Sequence, residues 1–308
     1  MSKKILITPK SYYRIREKMM PLLKDYELKF NDTGITFTEE QMIDLAKDVD
    51  GIIIGVDPIT ESVLENAKNL KAISKYGVGM DNINVKEAEK RNIKISKTPG
   101  TNNISVAELT IGLMFDLARN ISINVSKVKD NKWERVKGVE LTDKTLGIIG
   151  CGSIGKEVVR RARGLEMSVL INDPYFKDQE LIRDQAINLS DKSTLIENSD
   201  FISLHLPLNS ETKNIISKNE LKKMKESSYL INTARGGLID EEALLWALKN
   251  NEISGAACDV FSEEPPGQHP LLELDNFILT PHIGANTKES VLRMANQATE
   301  NIIEMLEK

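Results

Sequence analysis

Cysteine is nearly missing from this sequence. The two residues present in 308, Cys151 and Cys258, form neither a disulfide framework nor a zinc-ligand pattern, so a reducing cytoplasm is the expected location and no metal site is expected. A basic excess is also missing: 41 Lys and Arg stand against 46 Asp and Glu, a net charge of -5, which argues against a nucleic-acid or anionic-membrane partner. No run approaches the roughly 18 apolar residues of a membrane span. The opening run Ile5-Leu6-Ile7 is too short for a signal peptide. There is no internal repeat, no low-complexity segment, and no Tyr-x-x-x-Lys pair of the short-chain dehydrogenase type. Histidine is scarce as well, so an acid/base near neutral pH must be sought among His205, His269 and His282.

What is present is organised around Lys144 to Pro174. Leu146-Gly147-Ile148-Ile149 reads as a buried parallel strand, Gly150-Cys151-Gly152-Ser153-Ile154-Gly155 as a glycine turn, and Val169-Leu170-Ile171-Asn172-Asp173 as a second strand. Between them Ile154, Val158, Ala162 and Leu165 recur at helical spacing. The glycines differ in what they permit. Gly150 allows the sharp turn, Gly152 lets backbone approach a pyrophosphate, and Gly155 lets the helix lie close on the strand. The free N–H groups and positive dipole end of that helix face the anion. Asp173, 18 residues after Gly155, ends the second strand where a carboxylate accepts from the adenosine ribose hydroxyls and repels a 2'-phosphate, so NAD is expected over NADP. Cys151 reads as a small side chain tolerated between glycines.

A chain of this length suggests two domains. Up to about Thr98, the runs Ile5-Leu6-Ile7, Ile52-Ile53-Ile54, Ala72-Ile73-Ser74 and Ile93-Lys94-Ile95 alternate with amphipathic segments at Glu39 to Asp48, Glu61 to Asn66 and Val85 to Arg91, which predicts a smaller parallel α/β domain. Turn formers at Lys97 to Asn103 make a linker, Ser105-Val106-Ala107-Glu108 fits a capping box, and a helix follows from Leu109 to about Asn120. After the organising stretch, strand candidates at Phe201 to Leu204, Tyr229 to Asn232, Gly255 to Val260 and Phe277 to Leu279 continue a doubly wound sheet. Val291, Met294, Ala298, Ile302 and Met305 mark a last helix that docks on the first domain. The expected plan is an α/β protein in which residues 99-285 form a dinucleotide-binding Rossmann domain inserted in a smaller flavodoxin-like α/β substrate domain of residues 1-98 plus 286-308.

Ligands of such sheets sit at the carboxyl ends of the strands. Three segments there supply an Arg, a Glu and a His: Asn232 to Gly237 with Arg235, Asp259 to Pro265 with Glu264, and Pro281-His282-Ile283-Gly284. Such a trio suits hydride transfer to or from a 2-oxo acid, which needs a cation for the carbonyl and carboxylate and a proton donor and acceptor. His282 is the candidate acid/base, with Glu264 raising its pKa and Arg235 orienting substrate. Each has a plainer reading in a loop or an acidic turn. His205 ends a strand and competes for the role, while His269 sits in a Pro-rich loop and reads as a surface residue.

These segments, with Ser203-Leu204-His205-Leu206-Pro207, Thr280-Pro281, Tyr76-Gly77-Val78-Gly79-Met80-Asp81-Asn82 and Asn102 to Glu108, resemble the D-isomer-specific 2-hydroxyacid dehydrogenase family, and within it the members similar to phosphoglycerate dehydrogenase. The resemblance implies that Arg235 binds the substrate's carboxylate and carbonyl, that Glu264 pairs with His282, and that His282 exchanges the proton of the 2-hydroxyl. Val78 and Gly79 resemble positions whose N–H groups hold the carboxylate, and Asn102 a polar hinge contact. Ser153, Ile154, Asp173, His205, Pro207, Thr233 and Asp259 match NAD-contacting positions, joined by Ala234 and Gly284 in the same segments. The family also implies a cleft closing between two domains and a homodimer built largely on the cofactor domains.

Two departures narrow the expectation. Ile54-Gly55-Val56-Asp57-Pro58 carries no Arg where phosphoglycerate dehydrogenases have Arg or Ser, which counts against a phosphorylated substrate. The sequence runs about 26 residues past His282, too few for a C-terminal regulatory domain, so inhibition by serine is not expected. The expected function is an NAD-dependent D-2-hydroxyacid dehydrogenase or 2-oxoacid reductase, with phosphoglycerate dehydrogenase, hydroxypyruvate or glyoxylate reductase and a non-catalytic NAD-sensing protein as alternatives. Formate oxidation is disfavoured, because that branch carries Gln where Glu264 stands.

Overall fold

Strands covered on both faces must be apolar on both, and the short Ile-, Val- and Leu-rich runs of this chain pair in parallel throughout. The computed structural model describes residues 2–184 and 186–308, in two compact units: residues 1–102 with 285–308, and residues 103–284.

The first unit runs β1 (Lys4–Ile7), α1 (Lys10–Met19), β2 (Glu27–Phe30), α2 (Glu39–Ala46), β3 (Gly51–Ile54), α3 (Glu61–Asn66), β4 (Ala72–Lys75), α4 (Val85–Lys90) and β5 (Lys94–Ser96). Its five strands are ordered β2-β1-β3-β4-β5, the flavodoxin-like arrangement. Helices start where a side chain takes a free N–H: Thr38, Thr60 and Asn84 accept from the amides three residues on. Neither β2 nor α1 stands out in the sequence. β2 is an edge strand without a fully buried residue, and α1 buries only Tyr12 and Met19.

The second unit opens with α5 (Asn103–Arg119) and α6 (Ile121–Lys129), then β6 (Thr145–Ile149), α7 (Ser153–Gly164), β7 (Ser168–Asn172), β8 (Ile187–Leu189), α8 (Lys192–Asn198), β9 (Phe201–Leu204), α9 (Lys218–Leu221), β10 (Tyr229–Asn232), α10 (Glu241–Lys249), β11 (Gly255–Cys258) and β12 (Phe277–Leu279). The order β12-β11-β10-β9-β6-β7-β8 sets β6 between β9 and β7, so the winding reverses at β6 and the sheet is a Rossmann sheet. The capping box expected at Ser105 is corrected: α5 begins two residues earlier, at Asn103, which puts Ser105 inside the first turn and buries it. The Asn102-Asn103 pair ahead of it is itself a start signal.

The chain then returns to the first unit as α11 (Lys288–Glu307), whose Met294, Ala298, Ile302 and Leu306 pack on Ile5, Ile7 and Ile53 of β1 and β3. Among the described residues, no helix is long and apolar enough to cross a membrane.

Candidate active site

The glycine turn is dictated sterically. Gly150 adopts φ +85°, and a Cβ there would come within 2.6 Å of the His205 carbonyl oxygen; a Cβ on Gly155 would lie 2.7 Å from the Gly150 oxygen. Larger residues would push the turn off the sheet. Gly152 differs: a Cβ there meets nothing within 4 Å, so the space beside it is open. Gly152 also begins α7 without a side-chain cap, which leaves first-turn N–H groups for an anion. Ser153 is exposed and Ile154 half-buried at that end. Asp173 follows β7, and its carboxylate accepts from the Cys151 N–H at 2.8 Å and the Tyr175 N–H at 2.8 Å. These bonds clamp the turn while leaving further lone pairs on the carboxylate. The open cradle, uncapped helix and carboxylate fit a dinucleotide. Cys151 is buried, and burial pushes its thiol up to about 12, so it stays a neutral packing group.

The second cluster forms beyond β10, β11 and β12. His282 Nδ1 lies 2.7 Å from Glu264 Oε2, and Glu264 Oε1 accepts from the Phe261 N–H at 3.0 Å. The hydrogen bond to Glu264 raises the His282 pKa; burial opposes this, the charges of Glu264 and Asp259 reinforce it, and the Arg235 guanidinium pulls back. Glu264 responds in the complementary sense. Burial works against its ionisation, yet the imidazole's hydrogen bond and charge, joined by the Phe261 N–H and the Arg235 charge, together hold its carboxyl below the ordinary value. Arg235 thus feels both partners, and its loop is tied down where Asn232 Nδ2 donates to the Arg235 oxygen at 2.8 Å.

His282 has φ +51°, a left-handed conformation that non-glycine residues rarely adopt. The buried carboxylate of Asp259 holds it there. Asp259 Oδ1 accepts from Thr280 Oγ1 at 2.6 Å and from the Ile283 N–H at 2.8 Å, and Oδ2 from the Gly284 N–H at 2.7 Å. This grip, on the Thr280 hydroxyl before His282 and on the two backbone N–H groups after it, is a function that the sequence does not reveal, since there Asp259 points to NAD contact alone. The only local signal is an acid at a strand exit.

The remaining candidates divide between the two units. His205 follows β9, its Nε2 is 2.9 Å from Ser203 Oγ, and burial pushes its pKa down to about 3. Pro207 is exposed nearby, and its oxygen accepts from Thr212 Oγ1. Thr233 is buried and meets Thr110 Oγ1 of α5 at 2.8 Å, with Ala234 half-buried beside it. His269, expected at the surface, is half-buried: its Nδ1 accepts from the Leu271 N–H at 3.2 Å and its ring edge meets Phe261 at 4.9 Å. It is a cap, because the Pro270 that follows starts a helical turn. In the first unit Val78 and Gly79 lie half-buried after β4; among the described residues their N–H groups donate to no protein acceptor. Asn102 is buried there, its Oδ1 without a hydrogen-bond partner. Asp57 faces inward, accepting from Thr8 Oγ1 and from the Phe37 N–H at 2.8 Å.

Residues 111–284 match the profile described as D-isomer specific 2-hydroxyacid dehydrogenase, NAD binding domain. The chain is 40% identical over 297 residues to a hydroxypyruvate reductase of Thermotoga maritima, covering 94% of this chain and 95% of that one. It is 43% identical over 278 residues to a D-3-phosphoglycerate dehydrogenase of Methanocaldococcus jannaschii, covering 89% of this chain and 52% of the relative, so the chain spans about half the length of that curated relative. A crystal structure of D-lactate dehydrogenase from Aquifex aeolicus, complexed with NAD and lactic acid, superposes with a TM-score of 0.86 at 29% identity, covering 98% of this chain and 95% of that one. By fold, by motif and by these relatives, the chain belongs to the D-isomer specific 2-hydroxyacid dehydrogenase family.

Proposed function

We propose that the protein is an NAD-dependent oxidoreductase interconverting a small 2-oxo acid and its D-2-hydroxy acid. The observation that carries this reading is the 2.7 Å contact between His282 Nδ1 and Glu264 Oε2. With Nδ1 engaged, Nε2 is the ring position left for a substrate oxygen. NAD(H), when bound at Gly150, Gly152, Ser153, Ile154, Gly155 and Asp173, supplies or takes the hydride at substrate C2. His282 gives its Nε2 proton to the carbonyl oxygen in reduction and recovers it in oxidation. Arg235 binds the carboxylate and polarises the carbonyl, and the Val78 and Gly79 N–H groups hold the carboxylate's other oxygen. Asp173 repels a 2'-phosphate and favours NAD.

Gly55-Val56-Asp57 offers no guanidinium for a phosphate, and Asp57 is engaged with Thr8 and Phe37, so unphosphorylated acids such as hydroxypyruvate or glyoxylate fit better than 3-phosphohydroxypyruvate. Following NADH consumption with those three and pyruvate tests the reading: turnover of a short 2-oxo acid, with NADH preferred to NADPH, is expected. NADH binding without turnover of any of them would instead identify a non-catalytic NAD sensor. A homodimer is part of the proposal. α6 buries none of its residues and exposes Ile121, Val125 and Val128, with Trp133 83% exposed just beyond. Sedimentation giving only a 34.5 kDa species would refute it.

A further inference from the structure

Lys75 is the buried cation of the first unit. It ends β4 at 6% exposure, where a charged amine is costly unless it is fully hydrogen-bonded. Its Nζ reaches the Gly55 carbonyl oxygen at 2.5 Å and Asn82 Oδ1 at 2.6 Å. Asn82 Nδ2 donates to the same Gly55 oxygen at 3.1 Å and to the Asp57 oxygen at 2.5 Å, and the Asn82 oxygen accepts from the Ile59 N–H at 2.8 Å. The ammonium therefore ties the exit of β3 to the far end of the loop that leaves β4. The near end has its own fastening: the Gly77 N–H donates to Thr98 Oγ1 at 2.9 Å and the Thr98 N–H to the Gly77 oxygen at 2.9 Å. Val78 and Gly79 lie between the two anchors. The lysine stem passes Gly77 at the near anchor, where an added Cβ would come 3.9 Å from Lys75 Cε.

We propose that Lys75 is a positioning residue that presets the Val78 and Gly79 N–H pair for the substrate carboxylate. A donor pair held at both ends loses little freedom when an anion arrives, and a buried positive charge at one of its anchors favours that anion. Lys75 does this without touching substrate, because its ammonium is directed at Gly55 and Asn82. The proposal rests on the reading of Val78 and Gly79 as the carboxylate site, and it adds a reason for the loop's geometry.

Three variants of the full chain, assayed with the best 2-oxo acid of the panel, test it. Lys75→Met keeps the length and apolar stem; it should raise KM for the acid about tenfold while kcat stays within about twofold and KM for NADH is unchanged, the pattern of lost ground-state binding. Lys75→Arg should recover most of the loss. Val78→Pro deletes one of the two donors and should also raise KM for the acid. An unchanged KM in Lys75→Met beside a raised KM in Val78→Pro would overturn the role of Lys75 alone. No change in either would overturn the carboxylate site itself. Should Lys75→Met fail to fold, Asn82→Ala cuts the same tether from its other end and is read against the same outcomes.

Discussion

Two histidines follow strands of the same sheet and have opposite electrostatics. His205 comes directly after β9, with its Nε2 on a neutral hydroxyl, Ser203 Oγ at 2.9 Å, and burial drives its pKa down to about 3. His282 comes three residues after β12, with its Nδ1 on a carboxylate at 2.7 Å, and that bond drives its pKa up in spite of burial. Burial differs in degree: it is what lowers His205, which is half-buried, while the His282 ring is more exposed and burial there is outweighed. The partner adds a difference in kind: a hydroxyl offers nothing that favours the charged ring, whereas a carboxylate stabilises the imidazolium. A place at the carboxyl edge of a doubly wound sheet therefore qualifies a histidine for contact with ligands, and only a paired acid qualifies it for proton transfer near neutral pH.

Substituting the two rings in parallel tests that contrast. His282→Gln should lower kcat/KM for the 2-oxo acid by about 10² to 10⁴, the range of a lost general acid. His205→Gln should cost less than about tenfold, because a ring that stays neutral carries no proton in the reaction and leaves only packing and hydrogen bonding to lose. Steady-state kinetics at one pH decides it, and comparable losses in both variants would erase the distinction.

The same contrast shows how far residues alone carry the account. His282, Glu264 and Arg235 are visible in the sequence as chemically suitable types at strand exits, yet 18 residues separate Glu264 from His282 and no local spacing announces their contact. What makes the contact possible is the left-handed backbone at His282, held by Asp259, a residue 24 positions before Ile283, through hydrogen bonds that only the folded sheet supplies. The glycine turn is legible for the opposite reason. Its geometry is local: Gly150 and Gly155 are demanded by atoms of the adjoining strand exit and of the turn itself, and Gly152 leaves the space beside it open. The buried parallel strands are legible as apolar runs. By contrast β2 has no fully buried residue and α1 buries only two, so neither has a pattern to read. The start of α5 escapes the sequence because Ser105 is a good cap in isolation, while the Asn pair before it extends the helix upstream.

The central claim is that Glu264 makes His282 an acid near neutral pH, and its sign is fixed. A raised pKa extends the protonated form of His282 to higher pH, so reduction of a 2-oxo acid should fall as pH rises through that value while oxidation of the hydroxy acid grows. The most direct measurement is an NMR titration of the His282 ring, in the wild-type chain and in Glu264→Gln. The account predicts a midpoint above the ordinary histidine value in the wild type and a clear fall in the variant; a wild-type midpoint at or below the ordinary value, or one that Glu264→Gln leaves in place, would contradict it.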